Sequence, residues 1–105
     1  MSLEELIAEA HANAQAKGFW EEANLGEKLC LIHSEVSEVL EHYRKGTAAE
    51  PSAKIPEFTN EEEELADIVL RILDLAGHRG VRLVDAIEAK HKYNLTRPFK
   101  HGRKF

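Results

Sequence analysis

One cysteine, Cys30, occurs in 105 residues. A lone thiol forms no internal disulfide and cannot by itself supply a zinc site, which removes secreted disulfide scaffolds and zinc fingers together. Long apolar runs are missing too, and no stretch approaches the roughly 18 residues that a membrane span needs. The first residues, MSLEELIAEA, carry acids where a secretory leader carries bases and an apolar stretch. The expectation is a soluble, cytoplasmic protein with no membrane partner. Alternating apolar patterns are absent, as are internal repeats, which argues against strands and solenoids. Bases are scarce in the body of the chain: residues 95–105 hold Arg97, Lys100, Arg103 and Lys104 and no acid, so a tail of +4 leaves −9 on residues 1–94 of a net −5. An acidic body repels nucleic acid, whose binding needs a broad basic surface, and no nucleic-acid partner is expected.

What is present is helical. Hydrophobic residues at 43% and charged residues at 31% suit one globular domain over residues 1–105. Ser2 with Glu5 has the form of a capping box, after which Leu3, Leu6, Ile7, Ala10 and Ala14 recur at helical spacing as far as Gly18. The segment GFWEEANLG then reads as a connector. Leu29, Ile32, Val36, Val39, Leu40 and Tyr43 form a second stripe, closed by Arg44, Lys45 and Gly46. Residues 46–59 hold two prolines and no periodic pattern, the signature of a functional or mobile loop. Thr59 or Asn60 can cap a third helix, with Glu62 and Glu63 three residues on, whose stripe is Leu65, Ile68, Ile72, Leu75 and Ala76. A fourth helix is predicted from about Val81 to about Asn94, before Pro98 and the basic tail.

The fold class expected is therefore all-α, with four helices per chain. So small a core is only modestly stable alone. Leu31, Val69 and Leu73 fall off the main stripes of helices two and three and widen the apolar surface, so a second chain is expected to cover it.

The chemistry concentrates in four acids. Glu35 and Glu38 lie three apart on helix two, and Glu64 and Asp67 lie three apart on helix three, a spacing that sets Cβ atoms roughly 5 to 6 Å apart on one helix face. On the helical wheel each pair borders its apolar stripe, with His42 in line on helix two and Arg71 in line on helix three. Antiparallel packing would make the pairs face one another. Four carboxylates in a partly buried seam repel unless a cation neutralises them, and oxygen-only ligands select magnesium or manganese over zinc. Paired acids also decorate ordinary solvated helix faces, so the residues alone leave both explanations open.

These segments, SEVSEVLEHYR and EEELADIVLRILDLAG, with 25 residues between Glu38 and Glu64, resemble the E-x-x-E and E-x-x-D hallmark of the MazG-like nucleotide pyrophosphohydrolases of the all-alpha NTP pyrophosphatase superfamily. The flanking segments KGFWEEANLGEKLCLI and AIEAKHKYNLTRPFKHGRKF extend the likeness over nearly the whole chain. The resemblance implies hydrolysis of a nucleoside triphosphate to monophosphate and pyrophosphate, in the manner of nucleotide-pool housecleaning. Magnesium, with manganese as a substitute, would be held by Glu35, Glu38, Glu64 and Asp67. It also implies a homodimer or homotetramer in which helices from two chains form a four-helix core.

Attack of water at the α-phosphorus needs cations on the phosphoryl oxygens and a base on the water; Glu35 is the first candidate for that base, with Glu38 beside it. Lys90, Asn94 and Arg97 fall at roughly helical spacing near the end of helix four, where they can meet phosphates or a base, and Lys100 can reach in from the tail. Trp20 offers a stacking face, although an aromatic beside a helix start also serves as a staple. Lys17 and Asn24 are substrate candidates by resemblance alone. Two rivals stand beside this enzyme. A carboxylate-bridged di-metal bundle needs Glu-x-x-His twice, and only Glu88 with His91 supplies it. A helical interaction module leaves the paired acids unexplained.

Overall fold

Local capping signals set the helix boundaries. In the computed structural model, which describes all 105 residues, α1 spans Leu3–Ala16, α2 Leu25–Lys45, α3 Asn60–Arg79 and α4 Leu83–Leu95, followed by a short 3-10 turn at Phe99–Gly102. Ser2 and Glu5 form the reciprocal capping box expected of α1, and Thr59 with Glu62 forms a second at α3. Gly46 and Gly80 close α2 and α3 in the left-handed conformation, at φ of 74° and 64°, where a side chain would clash with the backbone. One boundary differs from expectation. Asn24 belongs to α2 as its N-cap, so the helix starts a full turn before the stripe that announces it.

Helix α3 is central and packs against α1 on one side and α2 on another. Both neighbours run antiparallel to it. Tyr43 meets Glu61, His42 meets Glu64 and Glu35 meets Arg71, so residue numbers fall on α2 as they rise on α3. On the α1 side, a Cβ placed at Gly77 would sit 2.7 Å from His11 Cβ and 3.3 Å from the Ile7 carbonyl. Only glycine permits this approach. The packing also corrects one expectation: Leu73, thought to await a second chain, is 2% exposed and the most buried apolar residue. A helix contacted on two sides needs two apolar faces, and Leu73 lies on the second.

The long loop is ordered as well. Pro51 pairs with Thr59 in an isolated antiparallel bridge, Ser52 N–H donates to the Phe58 carbonyl at 2.9 Å, and Asn60 and Glu61 N–H donate to the Glu50 and Ala48 carbonyls. The first amides of α3, which a helix leaves unpaired, are thus met by the loop.

The packed interior is small for the chain. Val39, Leu73 and Ala76 are the buried apolar residues, and α4 buries none. The radius of gyration is 16.1 Å, against about 13 Å for a compact chain of this length. Accessible area is 8149 Å², where a compact monomer of this mass exposes roughly 5,900 Å². Exposed apolar residues include Leu29, Val36, Leu40 and Tyr43 of α2 and Leu65, Val69 and Ile72 of α3, each 37% to 55% exposed. No helix is long and apolar enough to cross a membrane.

Candidate functional site

Antiparallel register brings the acids together. Glu64 and Asp67 stand one turn apart on α3, Glu35 faces them from α2, and a carboxylate oxygen from each of the three lies within 4.8 Å of the others. Arg71, one turn beyond Asp67, donates from Nε to Glu35 Oε1 at 3.1 Å and fixes that carboxylate's direction. Glu38 lies one turn along α2, exposed and outside this closest set, but its carboxyl adjoins that of Glu64. Three of the four predicted ligands therefore converge, with the fourth at the rim.

Glu64 is the unusual member. It is 8% exposed, its Oε2 is buried with no hydrogen-bond partner, and its Oε1 is 3.8 Å from His42 Nε2. Burial foremost, then the adjoining Glu38 carboxyl and the charges of Glu38, Asp67 and Glu35, push its pKa up to about 7. A buried carboxylate oxygen without a donor is costly. A proton or a hard cation removes that cost, and an all-oxygen donor set of this kind fits a divalent cation such as magnesium or manganese. Residue His42, to which the sequence assigned no role, is oriented from behind by Thr47, whose Oγ1 lies 2.7 Å from its Nδ1. Its only sequence signal is its position in line with Glu35 and Glu38.

Beside the acids lies a cleft of about 350 Å³ into which Glu35, Asp67, Arg71 and Asp74 project, together with Lys28 of α2 and Lys54 of the loop. Neither lysine was singled out by the sequence. Lys54 gives no periodic signal because it sits in the aperiodic segment, and Lys28 looks like any helix surface base. Phe19 and the α1 residues Ala10, Asn13 and Ala14 also line it.

Trp20 is near this cleft but fully engaged. Its Nε1 donates to Asp74 Oδ1 at 2.8 Å, and His11 Nδ1 reaches the same oxygen at 2.9 Å. The His78 ring stacks on the indole at 3.8 Å with an interplanar angle of 10°, while Lys28 Nζ lies 4.4 Å from the indole centroid. Two such close neighbours occupy the two faces of the ring, so a nucleobase finds no open face there without displacing Lys28. Here Trp20 joins α1 to α3. Asn24 is similarly committed, its Oδ1 accepting from Glu27 N–H and its Nδ2 donating to Glu27 Oε2.

The other substrate candidates are not brought to the acids within one chain. Lys17 is the exposed C-cap of α1. Lys90 and Arg97 lie over the Tyr93 ring on α4, and Asn94 Oδ1 is buried without a partner. Arg97 and Lys100 line a separate concavity with His101, Arg103 and Lys104, which shares no residue with the acidic cleft. Glu88 and His91, the half-motif of a di-metal bundle, are exposed on α4. No family model, curated protein or solved structure matches this chain.

Proposed function

We propose that this chain is a divalent-cation-dependent nucleoside triphosphate pyrophosphohydrolase of the MazG-like kind. The observation that carries the reading is the convergence of carboxylate oxygens of Glu35, Glu64 and Asp67 within 4.8 Å of one another, with Glu64 Oε2 buried and unpartnered, at the edge of a cleft that also holds two lysines. Acids for a cation and bases for an anion side by side are what a metal–polyphosphate complex requires. Glu35, Glu64 and Asp67 would hold magnesium, with Glu38 beside them at the rim. A bound cation would supply charge stabilisation on phosphoryl oxygens and would lower the pKa of a coordinated water.

The chain's own groups supply the rest. Arg71 tethers Glu35, which favours a ligand's fixed geometry, whereas Glu38 makes no ion pair and leaves its carboxylate free to take the proton of the attacking water. The water oxygen forms a bond to the α-phosphorus, the bond from that phosphorus to the bridging oxygen breaks, and pyrophosphate leaves with its charge held by the bases that line the cleft. The same reading includes a homodimer or homotetramer. The area in excess of a compact monomer, roughly 2,000 Å² per chain, is more than the roughly 800 Å² per partner of a standard stable interface, and a second chain would also bring α4 and the basic tail toward a neighbouring cleft.

Incubation with magnesium and a panel of nucleoside triphosphates tests the activity. The expected products are monophosphate and pyrophosphate; diphosphate with orthophosphate refutes it.

A further inference from the structure

Three cations project into the acidic cleft, and two have partners. Arg71 is bonded to Glu35, and Lys28 Nζ donates to the Phe19 carbonyl while lying over the Trp20 ring. Lys54 makes neither an ion pair nor a side-chain hydrogen bond, although Glu35 and Asp67 line the same cleft. Were it only a counter-ion for those acids, it would stand within ion-pair distance of one of them. Its charge is left for something that enters.

The loop is built to keep it there. Ser52 is 1% exposed, and its Oγ accepts from the backbone N–H of Lys54 and of Ile55, each at 3.2 Å. A buried serine whose hydroxyl closes a turn fixes the direction in which the next residues leave it. The bond from Ser52 N–H to the Phe58 carbonyl holds that turn against the far side of the loop.

We infer that Lys54 binds the phosphate chain of the substrate from across the acidic cluster, and that Ser52 is the residue that positions it. This rests on the pyrophosphohydrolase reading. A compact ammonium on a flexible stem suits a polyphosphate whose other oxygens face a divalent cation, because the anion then bridges two positive centres instead of meeting bare carboxylates. The part engaged is the leaving pyrophosphate, whose negative charge grows as the bridging bond breaks and is stabilised by the ammonium.

The test is calorimetric binding of inorganic pyrophosphate in magnesium to the full chain and to K54Q, K54R, S52A, S52T and the double variant S52A/K54Q. Manganese affinity by electron paramagnetic resonance, without pyrophosphate, serves as the control. Lys54 is exposed, so K54Q folds. Its pyrophosphate affinity is expected to fall about tenfold or more, as for loss of a charge-assisted hydrogen bond, with manganese affinity unchanged and K54R retaining most of the binding. S52A should reproduce much of that loss and S52T restore it, while the double variant is no worse than K54Q, since Ser52 acts through Lys54. Wild-type affinity in K54Q overturns the inference, and additive losses in the double variant overturn the role of Ser52. A protein that hydrolyses no triphosphate yet binds pyrophosphate through Lys54 refutes the proposed activity alone; triphosphate turnover with kcat and KM unchanged in K54Q refutes this inference alone.

Discussion

Replacing Glu64 with glutamine should make the metal-free protein more stable at pH 8 and leave it nearly unchanged at pH 4.5. Burial and three neighbouring carboxylates raise the Glu64 pKa from 4.5 to about 7. Below about 4.5 the group is protonated in folded and unfolded chains alike and contributes nothing. Between 4.5 and 7 the unfolded chain releases its proton first, so it binds fewer protons than the folded one and stability falls as pH rises. Above 7 the full penalty stands, at most about 3 kcal/mol for a shift of this size. Because Glu38, Asp67 and Glu35 share the repulsion, that figure belongs to the cluster. Glu64→Gln keeps the shape and removes the charge, and its amide can donate to the adjoining Glu38 carboxylate. The expected gain at pH 8 is about 1 to 3 kcal/mol, or a melting point higher by roughly 5 to 15 °C for a domain of this size.

The assay is thermal unfolding in chelator, at fixed protein concentration, from pH 4.5 to 8. Saturating magnesium should then reverse the order at pH 8, because the wild-type chain gains about 3 kcal/mol at a hundredfold excess over Kd, while the variant has lost a ligand. A stability difference independent of pH, or a variant less stable than wild type at pH 8 in chelator, would refute the account of Glu64.

Glu35→Gln, Glu38→Gln and Asp67→Asn should each lower triphosphate turnover by orders of magnitude while preserving the helical circular dichroism signal; retention of full activity in all three would return these acids to an ordinary surface role. Gly77→Ala should destabilise the fold by about 1 to 3 kcal/mol, since the methyl must displace His11, and an unchanged denaturation midpoint would contradict the α1–α3 approach. Light scattering at micromolar concentration should report at least twice 11.9 kDa, and Val69→Glu, on the open apolar face, should reduce it to a monomer. A wild-type monomer with full activity would rule out the proposed assembly.

Much of the local architecture was legible because it depends on neighbours in sequence. The capping boxes at Ser2 and Thr59, the closing glycines Gly46 and Gly80 and the four helical stripes all express contacts within four residues along the chain. The loop 46–59 was opaque because its order comes from pairing with the unfilled amides of α3 and from one buried serine, neither of which leaves a periodic trace. Leu73 differs from expectation for a related reason: the apolar stripe of one helix marks one face, and α3 packs on two. Trp20 and Asn24 were legible as candidates, but their polar atoms turned out to be engaged by Asp74 and Glu27.

By itself the sequence determined the helices, the pairing of acids at three-residue spacing on α2 and α3, and the charge contrast between body and tail, since each follows from composition or from the pitch of one helix. The tertiary structure alone decided that Glu35 meets Glu64 and Asp67 while Glu38 stays at the rim, that Glu64 is buried among these carboxylates, and that Lys54 rather than the tail shares the cleft. The physical reason is register. A helix fixes which of its own residues share a face, but the sliding and rotation of one helix on another are set by packing, as at Gly77, where α3 comes up against Ile7 and His11 of α1, and packing of this kind chooses which faces meet.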